Sequence, residues 1–180
     1  MRFTSLIFLI PGITAYMVPE NAVDGMYTVF TAANGSEIHT LLPDGLLAER
    51  DAPISSDLVF PSSAKFRLKR QNNPGPNQIT CGTTVLDVTS TNNANNNIDT
   101  QCGAGATVGK GKTFYAKFGS TVSFYCNYAN GANVCYASER QLAANLINGN
   151  CGGFVAGYDH VVNRADTYGW QNMNICFCFC

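Results

Sequence analysis

Residues 113–128 read TFYAKFGSTVSFYCNY, two runs of aromatic and β-branched residues separated by Gly119-Ser120. Such runs favour extended backbone, and the Gly-Ser pair supplies a turn, so the stretch predicts a β-hairpin. Side chains alternate along a strand. In the second run Val122, Phe124, Cys126 and Tyr128 therefore share one face, while Ser123 and Tyr125 take the other. Asn130-Gly131 closes the strand as a turn signal.

Downstream, SERQLAANLINGN (138–150) predicts a helix. Ser138 and Gln141 have the spacing of a capping box, and Glu139 suits the positive end of the helix dipole. Leu142 with Leu146, and Ala143 with Ile147, recur every fourth residue as one apolar stripe, and Gly149 ends the pattern. FVAGYDHVV (154–162) and NMNICFCF (172–179) read as further strands. The second would line Cys176, Cys178 and Cys180 along one face and put Phe177 and Phe179 on the other. Upstream, TTVLDVTS (83–90) predicts a strand, TNNANNNID (91–99) a polar loop and GAGATVGKGK (103–112) a flexible Gly-rich loop. The last lacks the spacing of a phosphate-binding loop. The expected fold is a small α+β domain, an antiparallel sheet with one packed helix, stapled by disulfides.

Eight cysteines, Cys81, Cys102, Cys126, Cys135, Cys151, Cys176, Cys178 and Cys180, all follow residue 80. Their meaning depends on the compartment. MRFTSLIFLIPGITA (1–15) has a basic residue, an apolar run, a Pro-Gly break and a small final residue, which is the anatomy of a secretory signal peptide. The apolar run is too short to span a bilayer, so no membrane anchor is expected. In an oxidising compartment an even set of clustered cysteines predicts cystines rather than a thiolate metal site or a redox centre. No metal and no cofactor are expected.

Residues 16–70 differ in character from residues 71–180: they lack cysteine and end in KFRLKR, with Lys69-Arg70 before the polar stretch QNNPGPNQ. A dibasic pair beside a Pro/Gly-rich segment predicts cleavage by a Kex2-type processing protease, and Arg50 in GLLAER is a second candidate. This divides the chain into a pro-segment (16–70), expected to assist folding and then be removed, and a mature cystine-rich domain (71–180). The pro-segment carries an N-glycosylation sequon at Asn34, Asn34-Gly35-Ser36, and also His39, which its removal would take out of the mature protein.

In the mature part Lys110, Lys112, Lys117, Arg140 and Arg164 balance Asp87, Asp99, Glu139, Asp159 and Asp166. A neutral domain argues against nucleic-acid binding through a broad basic surface and against electrostatic membrane attachment. The densest polar cluster is GYDHVVNRAD (157–166), with Tyr158, Asp159, His160, Arg164 and Asp166. Together with Glu139 it contains the groups for acid–base hydrolysis, but Asp159 and His160 face opposite sides of a strand and no nucleophile motif accompanies them. Catalytic residues are therefore not assigned. Exposed tyrosine and tryptophan anchor interfaces, so Tyr158, His160, Arg164, Tyr168 and Trp170 are the candidate binding residues.

The plan of leader, cysteine-free pro-segment, Lys-Arg site and compact cystine-rich domain resembles small secreted effectors of plant-associated filamentous fungi. Within the mature part, FYCNYANGANVCYASERQLAANLINGNCGGFVAGY (124–158), TYGW (167–170) and a terminal cysteine are similar to a recurrent framework in fungal secreted proteins. The chain departs from it in ending on three alternate cysteines. The resemblance implies a secreted, extracellular and non-enzymatic effector, acting as a monomer in the host apoplast or against a competitor. Its partner would be a host or competitor protein or cell-surface component. A small ribonuclease-like or other hydrolytic protein, or an antimicrobial or killer-type toxin, are the alternatives.

Overall fold

The computed structural model describes residues 15–43 and 77–178. The leader through residue 14, Arg50, Lys69, Arg70 and Cys180 lie outside the described residues. The predicted hairpin is present as β5 (Lys112–Phe118) and β6 (Thr121–Asn127). Gly119 in its turn is left-handed (φ 53°), and a Cβ there would sit 2.5 Å from the Ser90 hydroxyl. Only glycine satisfies both demands.

Five more strands extend the hairpin into one antiparallel sheet: β1 (Gly25–Thr31), β2 (Glu37–Leu41), β3 (Asn77–Val85), β8 (Val155–Val161) and β9 (Asp166–Asn172). Their order across the sheet is β2-β1-β5-β6-β9-β8-β3. Two short strands, β4 (Ala106–Val108) and β7 (Asn133–Cys135), pair separately, so the Gly-rich stretch expected to be loop is partly extended.

Among the described residues there are two helices rather than the one expected: α1 (Val88–Cys102) and α2 (Ala137–Cys151). The first covers the predicted polar loop 91–99 and the end of the predicted strand 83–90. Asparagine is a poor helix former, but here capping and tertiary bonds prevail. Asp87 caps the helix by accepting from the Ser90 amide at 2.7 Å. Thr91, Ala94, Asn95, Ile98 and Cys102 recur with helical spacing on the buried face. Two of these polar residues reach the sheet: the Ser123 hydroxyl donates to Asn95 Oδ1 at 2.8 Å, and Thr91 lies 3.4 Å from the Thr121 hydroxyl.

In α2 the buried residues are Arg140, Ala143 and Ile147. Leu142 is exposed, so it does not share the predicted apolar stripe. The capping box is also absent: Tyr136 is the N-cap without a side-chain bond, and Gln141 instead donates to Asp99. The helix runs past Gly149 to Cys151, with Gly152 as C-cap.

Both helices lie on the sheet face that carries Phe114, Ala116, Tyr125, Tyr168 and Trp170. On the opposite face Tyr27, Val29, Tyr115, Val122, Phe124 and Cys126 are buried under two irregular segments, around Tyr16–Val18 and Phe177–Cys178. Residues 173–178 are thus not the predicted strand. They form turns and one antiparallel bridge, Phe177 to Tyr16. Cys178 has φ 50°, and both Phe177 and Cys178 are buried, so the expected alternation of faces does not hold.

Three disulfides join described residues: Cys81–Cys151, Cys102–Cys135 and Cys126–Cys178. Cys176 is disulfide-bonded too. The first ties the end of α2 to β3, the second ties the end of α1 to β7, and the third fastens the segment around Phe177 to the sheet.

Gly169 on β9 is a sharp test of this packing. A Cβ there would lie 2.6 Å from Tyr158 Cβ, 2.7 Å from the Gly157 carbonyl and 2.7 Å from the Phe124 ring. Gly169→Ala should lower unfolding free energy by at least about 2 kcal/mol, at the upper range of overpacking costs, as measured by urea denaturation. A loss below about 0.5 kcal/mol would mean that the three groups are not so close.

Candidate recognition groove

The irregular cover leaves one end of the second sheet face open. Strand register places the groove's side chains: His160 is opposite Gln78 and Thr167, and Tyr158 is opposite Thr80 and Gly169. Alternation then puts Tyr158 and His160 on one face with Gln78, Thr80, Thr167 and Gln171. Because Gly169 has no side chain, Tyr158 and Phe124 close over it from either side. The result is a groove of about 330 Å³ in which Tyr128 and the disulfide-bonded segment Cys176–Cys178 complete the walls.

His160 is held by its neighbours. Its Nδ1 is 2.9 Å from the Thr167 hydroxyl, and its ring lies 5.7 Å from that of Tyr128. Tyr158 remains 39 % exposed. Among the described residues the lining contains amides, hydroxyls, one imidazole and aromatic rings, but no carboxylate, lysine or arginine. Such a site can hydrogen-bond and stack on an uncharged polar ligand.

The structure separates the other residues that the sequence grouped with this pair. Tyr168 and Trp170 are not surface anchors: they are 1 % and 3 % exposed and belong to the helix-side core. Trp170 donates to the Val155 carbonyl at 2.9 Å, and Tyr168 donates to Glu139 at 3.0 Å. Both lie on the strand face that the helices cover, so the expected exposed patch does not form.

Arg164 likewise belongs to a buried polar network. A one-turn 3-10 helix at 162–164 precedes left-handed Ala165 (φ 51°), and Arg164 pairs with Glu139 and, at 2.7 Å, with Asp166. It also donates to the Val134 carbonyl at 2.6 Å. Tyr125 and Asn133 each donate to the same Asp166 oxygen at 3.2 Å. Burial alone would lower the Arg164 pKa, but Asp166 and Glu139 raise it instead. Burial raises the Tyr125 and Tyr168 phenols above their ordinary range, and neighbouring carboxylates add to this. Most polar groups in this network have their charge or hydrogen bonds committed to a neighbour, which suits a structural role, while the second Asp166 oxygen is buried without a partner among the described residues.

Asp159 points away from His160, as the alternation predicts, and is almost fully buried. One oxygen accepts from Asn77 at 2.7 Å, while the other has no partner among the described residues. His160 is therefore joined to neither Asp159 nor Glu139, the acids that a hydrolytic reading requires. Among the described residues no cluster of three or more His, Cys, Asp or Glu could hold a metal ion, and no helix is long and apolar enough to cross a membrane. Asn34 lies exposed in the turn between β1 and β2, where its side chain accepts from the Ser36 amide at 3.0 Å.

The sequence missed Tyr128, Gln78, Thr167 and Gln171 as groove residues. Alternation along residues 154–162 could pair Tyr158 with His160, but the residues opposite them depend on long-range register. No family model, curated protein or solved structure matches this chain.

Desolvation pushes the Asp159 carboxyl up to about 6, with only the Asn77 bond opposing it. The folded state therefore keeps this proton between about pH 4 and 6, where the unfolded chain has released it. Linkage then makes stability fall as pH rises through that window and level off above it. With allowance for solvent screening, the Asp159 contribution is about 1 kcal/mol. Asp159→Asn should remove this part of the slope between pH 4.5 and 7, measured by urea midpoints. An unchanged slope would place the titration elsewhere.

Proposed function

We propose that the chain is a secreted, non-enzymatic effector-type protein that binds a host or competitor cell-surface component, and that the groove around Tyr158 and His160 is its recognition site. The observation that carries this reading is the uncharged, rigidly framed groove on a cystine-stapled sheet. Tyr158 and His160 are candidate binding residues from the sequence that remain accessible, and they sit side by side. Tyrosine and amide side chains provide stacking and hydrogen bonding at little conformational cost. Lined in this way, the groove favours a neutral, hydroxyl-rich ligand such as a cell-wall glycan.

The leader and the cystines support extracellular action. The separation of His160 from Asp159 and Glu139 favours binding over acid–base hydrolysis.

The test is binding of the purified secreted protein to isolated plant and microbial cell walls, with the Tyr158→Ala, His160→Ala double variant as control. Loss of an aromatic anchor and its neighbour should weaken binding about tenfold or more while the variant still folds with an unchanged far-ultraviolet circular dichroism spectrum. Binding should change little between low and 0.5 M salt, since among the described residues the lining holds no carboxylate, lysine or arginine for salt to screen. Full binding by the double variant would remove the groove as the recognition site. Wall hydrolysis or RNA cleavage abolished by His160→Ala would replace this reading with an enzymatic one.

A further inference from the structure

The N-terminal hairpin is not peripheral to the fold. Tyr27 and Val29 of β1 are buried, and the Tyr27 ring stacks on Tyr115 at 4.8 Å with planes 4° apart. Strand β1 pairs with β5 from Gly25 opposite Lys117 to Phe30 opposite Lys112. Before it, the Asp24 carboxylate accepts from Lys117 Nζ at 2.5 Å and from the Gly119 amide at 3.0 Å. From β2, His39 Nδ1 lies 2.9 Å from the Tyr115 hydroxyl. Ahead of both strands, Tyr16 and Phe177 exchange backbone hydrogen bonds at 3.0 and 2.9 Å.

All these contacts cross from the segment read as removable to the segment read as mature. Strands β2 and β3 lie at opposite edges of the seven-stranded sheet, six interstrand spacings apart. At about 4.8 Å each this is about 29 Å. Cutting that connection at Arg70, or at Arg50 as well, breaks none of these strand pairs. Removing the hairpin, in contrast, would turn β5 into an open edge and uncover Tyr115, and bare apolar edges promote aggregation.

We infer that the hairpin outlasts processing: the mature protein is two chains, in which the N-terminal fragment stays bound as the outer two strands of the sheet. The inference rests on processing at the dibasic site. No disulfide can link the fragments, because every cysteine lies beyond residue 80. The N-terminal fragment thus acts as a non-covalent subunit, with strand β5 and the Tyr115 ring as its docking surface.

The experiment is gel filtration and native mass measurement of the full chain after secretion and digestion with a Kex2-type protease, followed by denaturing, non-reducing mass measurement of the same peak. One native species that resolves into two polypeptides on denaturation, without reductant, is the expected result. A native peak lacking the N-terminal fragment would overturn the inference. A chain still intact on denaturation would overturn the processing on which it rests, and the two failures differ in mass. As a second measurement, Tyr27→Ala should speed loss of the fragment from the digested protein at least tenfold during repeated gel filtration, while the undigested variant keeps its elution volume. Equal retention by Tyr27→Ala would overturn this docking surface.

Discussion

A sheet with two apolar faces needs two covers, and this chain builds only one of them from helices. The second face is closed by Phe177, whose ring lies 5.2 Å from Tyr115, 5.4 Å from Phe124 and 6.1 Å from Tyr16. Much else depends on this aromatic plug. It is held from one side by the Cys126–Cys178 disulfide and from the other by backbone bonds to Tyr16. An irregular segment has no ladder of its own to hold it over a sheet, so a covalent tie next to the buried ring is an effective fastening. Phe177 and Cys178 are thus a cover and its fastening. The same segment ends as one wall of the groove.

The helical layer is held by a different balance of forces. Helix α1 buries only a few apolar side chains, and hydrogen bonds from Asn95 and Thr91 contribute to its seat on the sheet. The Cys102–Cys135 disulfide ties its end to β7, just ahead of α2, and Arg140 of α2 donates twice through its guanidinium to Asp99 at 2.5 Å. Such bidentate pairs fix geometry as well as supplying attraction. A helix rich in asparagine, unstable alone, is held in this setting by a cap, a cystine, an ion pair and directed bonds to the sheet. The scarcity of charge elsewhere fits this arrangement, since several of the charged side chains are committed to internal pairs.

These two covers also explain which parts of the fold were legible. The hairpin at 112–127 could be read because its alternation and its turn are local. Helix α2 could be read from its spacing, although its cap and its apolar stripe differ in detail. Helix α1 could not, because the stabilising partners of Asn95 and Thr91 lie on a strand far along the chain. The tail was misread for a related reason: alternate Cys and Phe imitate a strand, while Cys178 turns at φ 50° and its disulfide partner Cys126 lies far back along the chain. Strand β9 was not read from the sequence, so neither the shared face of Tyr168 and Trp170 nor its cover by the helices was legible. That cover removed them from the surface and left Tyr158 and His160 there.

The sheet's second face therefore carries two different surfaces along one continuous array of strands. At the β1–β5 end, apolar rings and strand pairing demand a permanent cover, and the N-terminal hairpin supplies it. At the β3–β8–β9 end the residues turn to glutamine, threonine, histidine and tyrosine, which tolerate water and need no cover. Gly169 separates the two regimes, since its missing side chain lets Phe124 and Tyr158 approach from either side. The groove is thus framed by β8 and β9, each hydrogen-bonded on both sides, and by the edge strand β3 paired to β8, so a ligand entering it would meet side chains already set by strand register. Little is then lost to conformational entropy on binding, and an uncharged lining can recognise its ligand through shape, stacking and directed hydrogen bonds.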